Sequence, residues 1–423
     1  MGTVVEKFGE MVRKNVEKNP SRALELLRAG YFISGKQMKY LPKHQLLPHQ
    51  KYAAVVSNRA IRAPLTSPDH SAVVSVFTPC ELLHAMGIMP QFTEGLACYI
   101  NGAKAESAFI RFAENAGIPQ TYCSYHKILI GAALSGVLPK PRFVVNTTLA
   151  CDANNSTFRL LADIWKVPHF TLDIPYRSSD REVSYVAEQM REFVLFLEET
   201  LSQKLSEKML RNVIRRENRS IRLYQEFFNE LSQKVLPNDM TSEMYKIFLT
   251  HVLLGTGEAE HYFELLVDDA QKSEPSNNEI RILWVHSLPF WQRSMKNIIN
   301  FNPRVQLLCC DLNFDVMVEL NEENPYESIA KKLLSHSLGG ENTRRTDRIL
   351  EMAKLLHADG IVYFCHWGCK HTLGGANAAK CILEDAGFPT LILDGDGCDR
   401  GNVNDGQMST RMQAFLEILE AKK

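Results

Sequence analysis

Short ligand-binding signatures are missing from this chain. No C-x-x-C occurs among its ten cysteines, and structural zinc sites usually pair their ligands at such close spacing. No G-x-G-x-x-G follows a strand pattern, which excludes a dinucleotide crevice of that type, and the absence of G-x-x-x-x-G-K-[ST] excludes ATP binding through a P-loop. Charge of one sign is also lacking. Lys+Arg is 48 against 49 Asp+Glu, a formal charge of -1, so no field recruits nucleic acid or a membrane surface. No apolar run reaches the ~18 residues of a membrane span. The N-terminal MGTVVEKFGEMVRKNVEKN is amphipathic and charged rather than a secretory signal, and Glu6 stands where myristoylation needs Ser or Thr. A cytoplasmic location is expected. Thiols stay reduced there, so the cysteines are expected to be metal ligands or core residues rather than disulfides.

What is present is an ordinary globular composition, 45% hydrophobic and 23% charged, in 423 residues, enough for two to three domains. Residues 1–69 read as an N-terminal helix and arm: Val4, Val5, Phe8, Met11, Val12 and Val16 share a helical face, and 20–65 read as irregular and proline-punctuated. Residues 70–180 read as a first α/β domain, with strands in VVSVF, FVVNTT and HFTLDI. A helical bridge and linker is expected over 181–278, ending in the polar SEPSNN, and a second α/β domain over 279–423, with strands RILWVHS, RVQLLCC, GIVYF and PTLILDG. The expected fold is two doubly wound, mostly parallel α/β domains around a cleft, with a helical N-terminus and a helical bridge.

The cysteines follow this pattern. Strand-like runs lead into Cys80, Cys151, Cys309, Cys310, Cys365 and Cys398. Carboxyl ends of parallel strands form the crevice where open α/β sheets bind ligands, so thiols from distant segments would converge there, as in a metal or iron–sulfur site built by the fold. The strongest local motif is Cys365-His366-Trp367-Gly368-Cys369 before KHTLGGANAAK, in which Gly374 and Gly375 would let backbone N–H groups approach an anion such as a cluster sulfide. Cys80 precedes ELLHA, where a helix start would favour thiolate. Glu81 reads as a first-turn helix charge and His84 as structural. Cys123 precedes the apolar helix KILIGAALSG, Asp152 beside Cys151 reads as an N-cap, and Cys398 lies in the Gly-rich DGDGCDR. Cys309 and Cys310 are adjacent in a strand, so at most one can face the crevice. Cys98 and Cys381 read as core. Ser124-x-x-Lys127 is a four-residue match to a serine hydrolase nucleophile, without the SDN or KTG that should follow.

In sequence order, PCELLHAMGIMP, CSYHKILIG, NTTLACDANNSTF, HFTLDIPY, HWGCK, GDGCD and TRMQAFLEILE resemble the 2-hydroxyacyl-CoA dehydratase and benzoyl-CoA reductase superfamily over about residues 70–180 and 279–423. The cysteines in PCEL, HWGC and GDGCD look most like the double-cubane cluster proteins, where two cubanes share a bridging sulfide. The resemblance implies Cys123, Cys151 and Cys369 as a shared ligand trio, with Cys80, Cys398 and Cys365 serving a second cubane. It implies an ATP-dependent, low-potential iron–sulfur reductase of small, hard-to-reduce molecules, a homodimer fed electrons by a separate iron–sulfur activator ATPase. It also admits an (R)-2-hydroxyacyl-CoA dehydratase subunit, with a single [4Fe–4S] cubane on three cysteines and a ketyl-radical route. Two further readings stay open: an electron-transfer cluster protein without its own substrate, and a cluster-free α/β binding protein with core cysteines.

Overall fold

A computed structural model describes residues 2–402 and 405–423. Three helices come first: α1 (Gly2–Lys18), α2 (Pro20–Tyr40) and α3 (Pro48–Thr66). The irregular arm expected over 20–65 is therefore absent. Pro20 and Pro48 occupy the first helical position, where a missing N–H costs nothing and a fixed φ favours the helix. Asn19 caps α2 by accepting the Arg22 N–H at 3.0 Å.

The first α/β unit runs β1 (Ser71–Val74), α4 (Glu81–Ala85), β2 (Met89–Phe92), α5 (Thr93–Gly102), α6 (Glu106–Asn115), α7 (Ser124–Leu134), β3 (Phe143–Thr147), α8 (Asp152–Trp165) and β4 (His169–Leu172). Four helices follow: α9 (Asp180–Leu201), α10 (Glu207–Leu231), α11 (Met240–Thr250) and α12 (Gly257–Gln271). The second unit runs β5 (Ile280–Val285), α13 (Arg293–Ile299), β6 (Val305–Cys310), α14 (Pro325–Ser335), α15 (Asn342–Leu355), β7 (Gly360–His366), α16 (Lys370–Asp385), β8 (Thr390–Gly395) and α17 (Asp405–Lys422). No described helix is long and apolar enough to cross a membrane.

Each unit carries its own four-stranded, all-parallel sheet, in the orders β2-β1-β3-β4 and β6-β5-β7-β8. The two orders are the same: first strand inside, second at the edge, third and fourth on the other side. Strands β1, β3, β5, β6 and β7 are buried along their whole length, as parallel strands covered by helices on both faces must be. Strand β2, which sequence periodicity misses, holds Pro90 at the sheet edge, where no ladder partner needs its N–H. In both units the order reverses beside the first strand, and that switch point is where such sheets open a crevice.

Polar ties hold the halves in register. Asn218 of α10 donates to the Leu320 carbonyl at 2.8 Å and accepts the Leu320 N–H at 2.7 Å. Ser124, at the start of α7, donates to Asp396 beyond β8 at 2.6 Å. Asp396 also accepts the Cys398 and Asp399 N–H groups, both at 2.8 Å.

Candidate metal centre

A cavity of about 990 Å³ opens at the carboxyl ends of β1, β3, β5 and β7, with walls from both α/β units and from α1 and α2. Cys123, Cys151 and Cys369 line it. Each stands at the N-cap of a helix: α7, α8 and α16 respectively, so Asp152 is the first helical residue rather than the cap. None of the three thiols caps its own helix, so each is free to face the cavity, among amides that suit an anionic centre.

Gly368 explains how two of these caps meet. Its φ is +85°, and a Cβ there would stand 2.7 Å from both N and Cα of Cys123. Only glycine permits that conformation and that approach. The turn carrying Cys369 thus lies directly on the backbone of Cys123, joining the second unit to the first.

Hydrogen bonds surround the thiols. His366 Nδ1 accepts the Gly397 N–H at 3.0 Å, which leaves the proton on Nε2, 3.3 Å from Cys123 Sγ. His126 Nε2 stands 3.7 Å from Cys151 Sγ, and Cys369 Sγ lies 3.4 Å from Thr372 Oγ1. Burial keeps both rings neutral, with His126 pushed down to about 3 and His366 also lowered. Burial raises the Cys123 thiol, and the fields of Cys151 and Cys369 raise it further; Cys151 is pushed up to about 12 by burial and then by Cys369. Three thiols in one recess, with imidazole nitrogens beside two of them, fit a bound iron–sulfur cluster: metal charge would offset the repulsion that thiolates would otherwise feel there, and N–H donors to sulfur would tune the potential.

The other expected ligands lie elsewhere. Cys80 caps α4, 3.3 Å from the Thr78 carbonyl and beside Glu81, Lys332 and Glu217. Burial and Glu81 hold its thiol far above the usual range, opposite to the lowering expected at a helix start. Cys365 is still within β7, paired with Asp394. Successive strand residues face opposite ways, so with His366 on the cavity wall Cys365 turns from it. Cys398 is buried against Cys98, whose thiol it hydrogen-bonds. Gly374 and Gly375 lie beyond the first turn of α16, where their amides are committed to the helix. A Cβ on Gly375 would collide with the Asn342 amide, so that glycine serves the packing of α15 on α16.

Several other expectations resolve here. Cys98 lines the cavity rather than filling the core, and Cys381 is exposed on α16. Cys309 and Cys310 are both fully buried in β6, off the cavity wall. Ser124 and Lys127 are not a catalytic pair: Ser124 binds Asp396, while Lys127 is buried on Glu114 at 2.7 Å. His84 is structural as expected, 2.9 Å from the Val252 carbonyl. Glu81 is a buried partner of Lys332 at 2.9 Å rather than a solvated helix charge. Three groups escaped the sequence reading. His126 and His366 sit in the SYH and CHWGC motifs beside the expected ligands, a signal that could have found them. Glu94, on the cavity wall at the start of α5, had none. The third is a buried triad in which His251 and His336 lie 3.0 and 3.3 Å from Asp315. His336 Nδ1 accepts the Leu338 N–H, so its Nε2 carries a proton toward Asp315, a hydrogen-bonding arrangement rather than a metal ligand.

The architecture is two parallel α/β units with a thiol-lined crevice between them. Residues 75–419 match the family described as 2-hydroxyglutaryl-CoA dehydratase, D-component, and the chain belongs to that family. Its relatives include the (R)-phenyllactyl-CoA dehydratase alpha subunit of Clostridium sporogenes, 21% identical over 82% of this chain and 88% of that protein. The lactoyl-CoA dehydratase subunit alpha of Anaerotignum propionicum is also 21% identical, over 81% of this chain and 89% of that protein. The (R)-2-hydroxyglutaryl-CoA dehydratase subunit alpha of Acidaminococcus fermentans is 22% identical over 67% and 61%.

Proposed function

We propose that Cys123, Cys151 and Cys369 hold a single [4Fe–4S] cubane and that the chain is the cluster-bearing subunit of an (R)-2-hydroxyacyl-CoA dehydratase. The observation that carries this is the arrival of three N-cap thiols, and only these of the six expected ligands, on one cavity wall. Relatives named as dehydratase alpha subunits support it. Bound there by Cys123, Cys151 and Cys369, a cubane would supply one low-potential electron. The protein's part is to place, shield and protonate. The His366 N–H and the His126 ring orient Cys123 and Cys151. Glu94 accepts from Thr93 Oγ1 at 2.7 Å, and burial raises its carboxyl above the ordinary value, the direction that favours its giving a proton to a departing hydroxyl.

The chain has no P-loop, which supports an electron supply from a separate iron–sulfur activator ATPase. The relatives' naming as alpha subunits favours a second, different subunit over a homodimer. Iron and sulfide analysis after anaerobic purification tests the centre. About four irons per chain are expected; about eight would restore the double-cubane reductase, and none would remove both readings. Glu94→Gln should keep the iron and lower kcat by about a hundredfold or more with little change in KM, the loss typical of a missing general acid.

A further inference from the structure

The family-matched segment begins at residue 75, yet part of the cavity wall comes from before it. Helices α1 and α2 contribute Val5, Phe8, Leu26, Ile33 and Met38. Opposite them stand Phe92, Tyr99, Met244 and Phe248, with the Phe92 and Phe248 rings edge to face at 4.9 Å. The two N-terminal helices are seated firmly. Glu6 pairs with Lys104, Arg13 donates to the Lys104 carbonyl, and a Cβ on Gly30 would collide with the Phe8 ring, so α1 and α2 cross closely at that point.

Charge is distributed unevenly over this wall. Among the described lining residues Lys370 is the one lysine or arginine, and it follows Cys369 directly. Asp152 follows Cys151, and the lining histidines 126, 286, 366 and 371 gather at the cysteine end. The end walled by α1 and α2 offers mostly aliphatic and aromatic side chains, with Ser34 and Gln37 among them, and no lysine or arginine. Neither the phosphates of CoA nor the carboxylate of a dicarboxylic acyl group meets a cation there, and withdrawing a carboxylate from water without one is unfavourable.

We infer that this end receives the acyl chain of the thioester, and that the substrate's acyl group is uncharged and apolar, aliphatic or aromatic, with α1 and α2 setting that preference. The inference rests on the thioester-dehydratase reading and names its substrate class. It is tested by calorimetric titration of the anaerobically purified full chain, without reductant, with (R)-2-hydroxyhexanoyl-CoA and with (R)-2-hydroxyadipoyl-CoA, which differ by a terminal carboxylate. The hexanoyl thioester should bind at least about tenfold more tightly, since the carboxylate would be buried without a partner. In Ser34→Arg, which adds a cation at the half-buried α2 wall, adipoyl affinity should rise by about tenfold through a charge-assisted contact. Equal or tighter adipoyl binding to the unaltered chain overturns the acyl inference and leaves the dehydratase reading standing. Binding of neither thioester overturns both. A Ser34→Arg chain with unchanged melting and unchanged affinities places the acyl group elsewhere and also overturns the inference.

Discussion

Cys123→Ser, Cys151→Ser and Cys369→Ser are each expected to lose most of the cluster, whereas Cys80→Ser, Cys365→Ser and Cys398→Ser keep it. A cubane with three protein thiolates has no spare ligand, and a serine hydroxyl is a poor replacement for thiolate at iron. The three sites share one wall, with Gly368 pressing the Cys369 turn onto Cys123. The second group is engaged elsewhere: Cys80 by the Thr78 carbonyl, Cys365 in the β7–β8 ladder, Cys398 by Cys98. Iron per chain and visible absorbance check this. Should Cys80→Ser or Cys398→Ser halve the iron, the single-cubane assignment fails in favour of two linked cubanes.

Lys332→Met should be the most damaging change away from the cavity, destabilising the fold by about 3–5 kcal/mol, the usual cost of leaving a buried charge without its partner. Lys332 of α14 binds Glu81 at 2.9 Å and Glu217 of α10 at 2.6 Å, and the two carboxylates are 2% and 0% exposed. Burial raises the Glu217 carboxyl from 4.5 to about 7, with Lys332 opposing the rise. Such a group binds its proton more tightly in the native state than in the unfolded one. The stability it contributes is complete below 4.5 and is lost as pH climbs through 7. Removing the ammonium raises the Glu217 carboxyl further, so the penalty of Lys332→Met should grow from acidic to neutral pH. Thermal melting across that range checks the sign. Adding Glu81→Gln and Glu217→Gln should recover much of the loss and flatten the pH dependence; a penalty independent of pH would show that the lysine acts by packing alone.

Cys123, Cys151 and Cys369 stood out as candidates because each stands where an apolar run or a short loop meets a helix, but Cys80 and Cys398 stood out on the same ground without reaching the cavity wall. Cys365 and Cys98 show the limits of that signal. GIVYF was read as a strand ending before Cys365, but hydrogen bonding to β8 carries β7 on through His366, and strand alternation then sends neighbouring residues to opposite faces. Cys98 lies within a helical pattern like any core residue; its place on the cavity wall depends on how α5 is rotated against its neighbours. Prolines misled the reading of 20–65, since Pro at a helix start and Pro in a loop look alike without the cap residue's geometry.

Periodicity and composition, which are local, were enough for the two α/β units, the helices between them and the absence of a P-loop. Which thiols share a cavity, which carboxylates share one lysine, and what closes the apolar end are contacts between segments far apart in the chain. Glu81, Glu217 and Lys332 come from three separate helices, or from the start of one, and no spacing in the sequence encodes their meeting. Those choices were made by packing: two sheets of the same order around one cavity, with Gly368 at a turn where the second unit presses on the Cys123 backbone of the first.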